Sequence, residues 1–296
     1  MPAWLDTHLV SVLNGLAIGF LLFILAVGLS LVFGMMDVLN LAHGVLFLTG
    51  GYMAWAIAGE HPSWLGFAGA LAAAAVVGSL AGVGLSLATE RLARRSHLDQ
   101  ALLTLGLALI AADALSVMFG DDVHAVGPPP GLDGSVSILG SAYPVYRLAI
   151  IAVGAALAAA VHRIVERTAL GALVRATVAD RQMVSAVGID DRRVRVAVFG
   201  IGSLLAAVAG ALGAPIYGVR PGLDATVLVL ALVVVVIGGL GSVRGALVGA
   251  LVIGQIETLG RSLLSDLASF VLFGALALVL VVRPHGLFGD PSGTRS

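Results

Sequence analysis

Residues 7–36 read THLVSVLNGLAIGFLLFILAVGLSLVFGMM, a run without one Asp, Glu, Lys or Arg. A hydrocarbon core about 30 Å thick takes about 20 apolar residues to cross as a helix, because lipid offers no partner to an exposed backbone amide. This stretch is long enough. Further charge-free windows follow at 38–59, 61–89, 196–219 and 225–243. The whole chain is 59% hydrophobic and 11% charged, outside the range of soluble domains. Charge is therefore swept out of long windows, and the pattern reads as a polytopic all-α membrane bundle.

Adding the shorter apolar runs gives nine expected spans, over residues 10–33, 42–58, 66–90, 98–119, 147–166, 196–217, 223–240, 244–261 and 267–283. The spans flanking Asn40 and Gly241 are short enough to be halves of broken helices, so the expectation is eight to nine crossings. No composition break divides the chain, and residues 1–296 are expected to form one transmembrane domain. Met1–His8 lacks the basic start of a secretory signal and is expected to be retained.

The chain has 16 basic residues, all Arg. With the N-terminus outside, Arg91, Arg94, Arg95, Arg163, Arg167, Arg175, Arg181, Arg192, Arg193, Arg195, Arg244, Arg283 and Arg295 collect on the cytoplasmic side, leaving Arg147, Arg220 and Arg261 outside. The positive-inside rule then places the N-terminus out and the C-terminus in. Without Lys there is no P-loop for ATP hydrolysis, and without Cys no disulfide, thiol nucleophile or Cys-ligated cluster. The His residues show no ligand spacing, so no metal is expected.

Two connections are long. Residues 120–146, with Asp121, Asp122, Pro128, Pro129, Pro130, Gly131, Gly134 and Pro144, read as an irregular extracytoplasmic loop. Residues 167–195 form a polar cytoplasmic loop in which Leu170, Leu173, Val174 and Val178 recur at helical spacing, so that 169–187 reads as an amphipathic helix ended by Gly188. Composition leaves open whether it docks a soluble partner or rests on lipid headgroups.

Asp37, Asn40 and His43 stand three residues apart between apolar runs and would share one face of a continuous helix. Polar groups at membrane depth are costly unless they meet one another, water or a solute. Gly34, Gly44, Gly50 and Gly51 surround them, which fits a broken helix lining a route through the membrane; the bland alternative is a bond that holds the bundle together. Gly238-Gly239-Leu240-Gly241-Ser242 marks a corresponding position in the second half, as inverted repeats would give. Gly245 and Gly249 read as helix packing, at a dimer seam or within the bundle, and Asp113 and Glu257 as solvated charges near helix ends.

In order along the chain, Asn14-Gly15-Leu16, Gly28 to Gly34, Asn40-Leu41-Ala42-His43-Gly44, Gly51-Tyr52, Thr104-Leu105-Gly106-Leu107, Gly171, Arg175-Ala176, Asp180, Ala186, Gly188-Ile189, Gly238 to Ser242, Gly245-Ala246, Gly249, Gly254, Glu257 and Arg283 to Gly289 resemble permeases of branched-chain amino acid ABC importers, the LivH/LivM type. The compact N-terminus and the Asn-x-Ala-His-Gly run place the likeness with LivH. The resemblance implies a non-catalytic subunit that translocates branched-chain or related amino acids, urea or short amides. It implies pairing with a LivM-like permease or a second copy, two cytoplasmic ATPases that bind the ATP and Mg, and a periplasmic binding protein; no cofactor is expected on this chain, and no nucleic acid. It points to Asn40, His43, Gly44, Thr104, Gly106, Gly238, Gly239 and Gly241 along the pathway, and to Gly171, Arg175, Ala176, Asp180, Ala186, Gly188 and Ile189 at a coupling helix, without the Glu-Ala-Ala pattern of other importers.

Two other classes stay in view. A secondary transporter or channel needs an ion-coordinating cluster at mid-bilayer, which only Asp37 with Asn40 approaches, and an intramembrane enzyme needs a base beside Ser30, Ser79, Ser86 or Ser203, which none has at helical spacing.

Overall fold

A computed structural model describes residues 3–36, 40–90, 96–138, 140–179, 181–186, 188–263, 268–284 and 286–288. The elements run α1 (Ala3–Met36), α2 (His43–Ala58), α3 (Trp64–Glu90), α4 (His97–Phe119), β1 (Ser135–Ile138), β2 (Ser141–Pro144), α5 (Val145–Arg167), α6 (Ala169–Ala179), α7 (Arg181–Ala186), α8 (Asp191–Tyr217), α9 (Leu223–Gly238), α10 (Val243–Leu263) and α11 (Ala268–Val282). All nine expected spans fall on helices, and the protein is a polytopic helical membrane protein. Among the described residues six helices, α1, α3, α4, α5, α8 and α10, are long and apolar enough to cross a bilayer. At 1.5 Å per residue the 16 residues of α2 and of α9 reach only about 24 Å, so neither spans alone as a straight helix.

Burial sorts the helices into layers. In α1 and α8, 72% of the apolar window is buried, against 11% in α4 and 17% in α5. The centre is thus α1 with α8, sheathed by helices whose outer faces carry exposed Leu105, Leu109, Val117 and Met118 on α4 and Phe270 and Leu278 on α11. Such faces suit lipid, where burying a leucine against protein gains little hydrophobic energy and close packing of small residues decides which helices touch. The crossing of α2 over α8 shows this most sharply. A Cβ on Gly50 would stand 1.8 Å from the Ala207 carbonyl oxygen, and one on Gly210 would stand 1.8 Å from that of Phe47, so only glycine fits at either position.

The long connection after α4 is more ordered than its Pro and Gly content suggested. β1 and β2 form an antiparallel hairpin with Ser135 opposite Pro144 and Ile138 opposite Ser141, and α5 starts directly from it. A bridge between His124 and Val219, with Gly127 N–H donating to the Gly59 carbonyl at 3.2 Å, ties this loop to those before α3 and α9. These contacts define one end of the bundle, which holds Arg147, Arg220 and Arg261. The other end collects Arg163, Arg167, Arg175, Arg192, Arg193, Arg195, Arg244 and Arg283, the same partition that the charge pattern anticipates.

The 167–195 segment is likewise structured. It consists of the end of α5, then α6 and α7, so the described residues of the stretch expected to be helical over 169–187 are helical through Ala186; Asp180 and Val187 lie outside the described residues. Gly188 follows at φ 83°, a left-handed turn that favours glycine.

Candidate functional site

The chain is not a continuous helix from Gly34 to Gly51. α1 stops at Met36 and α2 starts at His43, the broken helix that the surrounding glycines suggested; Asp37 lies outside the described residues. Asn40 builds the head of α2. Its Oδ1 accepts the Ala42 N–H at 3.1 Å and its carbonyl accepts the His43 N–H at 3.2 Å, an Asx turn that pre-forms the first helical turn. Leu41 N–H donates to Thr104 Oγ1 of α4 at 3.1 Å, and that hydroxyl donates to the Ala101 carbonyl at 2.9 Å. His43 Nε2 lies 2.9 Å from the Leu25 carbonyl in mid-α1. Three elements therefore converge on residues 40–43, and the junction is sealed, with Asn40 1% and His43 0% exposed.

Two polar atoms of this junction, Asn40 Nδ2 and His43 Nδ1, are buried without a hydrogen-bond partner among the described residues. Gly44 lets α9 close over the site, since a Cβ there would lie 2.3 Å from the Asp224 carbonyl oxygen. Gly106 does not join it: no atom stands within 4 Å of where its Cβ would be, on the sparsely covered α4.

The second glycine cluster forms another break, between α9 and α10. Gly239 at φ 101° and Gly241 at φ 76° turn the chain, and Gly238 packs so closely on Gly245 that a Cβ would come within 2.3 Å of its carbonyl oxygen. Gly241 also sits against Gly34 at the end of α1, so the two breaks in the chain are linked through α1. The steps at Gly245, Gly249 and Gly254 pack on Gly238, Val234 and Gly15 of the same chain; they serve the bundle's interior, which removes the dimer-seam reading. Residues 286–288 clip this break, with Leu287 N–H on the Ile237 carbonyl at 2.8 Å and Phe288 N–H on that of Gly238 at 3.0 Å. Nothing in the sequence pattern of Arg283 to Gly289 announces that clip.

At the Arg-rich end, α6 lies on the bundle by one face. Gly171, Val174 and Thr177 are buried, and a Cβ on Gly171 would strike the Val165 carbonyl oxygen at 2.2 Å. Arg175, Ala176, Ala186 and Gly188 face outward, and Ile189, half-buried, bonds back to the Val184 carbonyl at 3.3 Å. The surface is pinned by ion pairs, Arg192 with Glu90 at 2.9 Å and Arg244 with Glu166 at 3.3 Å. At the opposite end Glu257 pairs with Arg261 on its own helix, while Asp113 is exposed. Among the described residues no group of three His, Cys, Asp or Glu is placed to hold a metal ion.

Comparison with known proteins adds a family. Residues 11–282 match the model described as branched-chain amino acid transport system / permease component. The chain is 30% identical to the high-affinity branched-chain amino acid transport system permease protein BraD of Pseudomonas aeruginosa, with 96% of each chain covered. It is 31% identical to the corresponding LivH of Escherichia coli K12 over 94% of each, and 26% identical to the ribose import permease protein RbsC of Haemophilus influenzae over 88% of this chain and 79% of the relative. No solved structure matches.

Proposed function

Because the chain belongs to the family of branched-chain amino acid transport system permease components, we propose that it is the membrane-spanning permease of an ABC importer for branched-chain or related amino acids. The observation that carries this reading is the end-to-end match to two permeases named for that transport, BraD and LivH. The chain works as a single domain in the bacterial inner membrane, N-terminus outside, with the hairpin end facing the periplasm and the Arg-rich end facing the cytoplasm. Two ATPases dock below, a second permease or second copy stands beside it, and a binding protein delivers the solute from above.

The division of labour follows from the residues. At the buried junction of Asn40, His43 and Thr104 polar groups from three elements meet inside the apolar bundle, which supports its place on the translocation route, flanked by Gly44 and linked through α1 to the break at Gly238, Gly239 and Gly241. The outward face of α6 and α7, with Arg175, Ala176, Ala186 and Gly188, receives the ATPase. Alternating access is then a rigid-body change driven from that face and transmitted through α5 and α8, on which α6 rests.

The reading is tested in cells lacking their own branched-chain amino acid permeases. Expression of this chain with its partner subunits restores uptake of labelled leucine, and a Walker-lysine substitution in the ATPase removes it; uptake that persists with the inactive ATPase contradicts the proposal.

A further inference from the structure

We infer that the cleft between α5, α6 and α8 at the Arg-rich end binds an anionic phospholipid, whose acyl chain fills the cleft and whose phosphate is held by Arg163 and Arg167. This goes beyond the permease reading and does not depend on which solute crosses.

The cleft has a volume of about 480 Å³. The buried Val174 of α6 and the buried Val198 and Leu205 of α8 line it, together with Leu31 of α1. Every described residue of its lining is apolar, so water finds no partner inside. Ile164 of α5 and Ile201 of α8 also line it, yet they are 47% and 39% exposed, so the cleft is open on their side. Ile164 lies three residues, about 5 Å, before the end of α5, and Ile201 ten residues, about 15 Å, into α8. Both helices are long enough to cross the bilayer, which puts the opening in the hydrocarbon of a single leaflet. At that depth an acyl chain is what can enter, and it supplies the contacts that the lining of an empty cleft forfeits.

The charge beside the opening selects the headgroup. Arg163 and Arg167 stand one turn apart on α5, both exposed and neither in an ion pair among the described residues. Glu166 between them is taken by Arg244 at 3.3 Å, so two guanidinium groups remain for a phosphate. Arg167 follows Ile164 by three residues and so neighbours it on the helix surface, at the mouth of the cleft. Basic side chains at the end of an apolar pocket between membrane helices suit an anionic headgroup, whereas a zwitterionic lipid brings a cation of its own to the same place. The occupant also completes the seat of α6. Gly171 packs on the Val165 carbonyl, but Val174, the next residue on that face, borders the cleft, so α6 rests partly on the acyl chain.

The test uses the full chain in phosphatidylcholine nanodiscs doped with a phosphatidylglycerol that carries a diazirine in its acyl chain, the labelled residues being mapped by peptide mass spectrometry. Labels are expected to concentrate on residues 161–165, 171–174 and 198–205. Unlabelled phosphatidylglycerol competes at least about tenfold better than phosphatidylcholine, since each interfacial Arg contributes about fivefold. Arg163→Gln combined with Arg167→Gln removes that preference, and both positions are exposed, so the fold is kept. Ile201→Trp crowds the cleft from its open side; it lowers labelling there and leaves labelling of the exposed α4 face, at Leu105 and Leu109, unchanged. Val161→Phe serves if that variant does not fold. Labels spread evenly over the cleft and α4 reveal ordinary lipid contact and overturn the inference. Equal competition by phosphatidylcholine overturns it too, as does a preference that survives the loss of both Arg side chains. Cleft labelling that vanishes when a second permease is present gives the cleft to that neighbour and has the same effect.

Discussion

Thr104 shows how one hydroxyl sets the geometry of the junction at the head of α2, because it holds the Leu41 amide and so the approach to α2. Thr104→Val keeps the shape and strands that amide, which costs about 1–3 kcal/mol; Thr104→Ser restores it. The check is the denaturation midpoint of the purified protein in detergent, lowered for valine and near wild type for serine. At Gly50 the effect is larger. Gly50→Val sets a side chain against the Ala207 carbonyl, and overpacking of this kind costs about 1–3 kcal/mol or more, so folded yield and melting temperature both fall. Asn40 and His43 were legible in the sequence because polar residues in an apolar run announce themselves. The bond from Leu41 to Thr104 was not, since it joins positions 63 residues apart. Gly106 was drawn in by its motif, yet two residues along a helix rotate about 200°, which turns it away from the face of Thr104.

Among the elements, α6 and α7 carry the coupling claim. Arg175→Ala combined with Asp180→Ala is expected to lower ATP-driven uptake at least about tenfold while the melting temperature holds, since Arg175 is exposed and bears no packing load. Uptake unchanged by the pair removes this surface from the mechanism. By contrast, Glu90→Gln, which breaks the ion pair with Arg192 on a surface where these side chains are 32% and 57% exposed, costs no more than about 1 kcal/mol of stability. Periodicity made α6 visible in advance, because a helix resting on a bundle alternates apolar and exposed positions every three to four residues. The hairpin of β1 and β2 escaped notice for the opposite reason. Its strands are four residues each and mostly exposed, so no alternating apolar face marked them among the Gly and Pro of that loop. The short α2 and α9 lie between, their existence legible from hydropathy but their ends set by distant backbone, that of Asp224 against Gly44 and the Phe288 N–H that donates to the Gly238 carbonyl.

For the whole molecule, the partition of Arg between the two ends fixes the expected orientation, and a chain without Cys makes it easy to check. Ser137→Cys, in the exposed hairpin, is expected to react with a membrane-impermeant maleimide in intact cells, while Ser96→Cys, exposed at the Arg-rich end, reacts only after permeabilisation. The reverse pattern inverts the topology and moves the coupling face to the wrong side. Membrane class and charge asymmetry were plain from the sequence, because lipid imposes both on composition. The central claim is that this chain moves its solute only when partner subunits hydrolyse ATP. Proteoliposomes measure it directly: the purified chain alone accumulates no labelled leucine under a proton or sodium gradient, and accumulation appears once the ATPases, the binding protein and ATP are supplied. Gradient-driven accumulation by the chain alone, with no ATPase present, would contradict it.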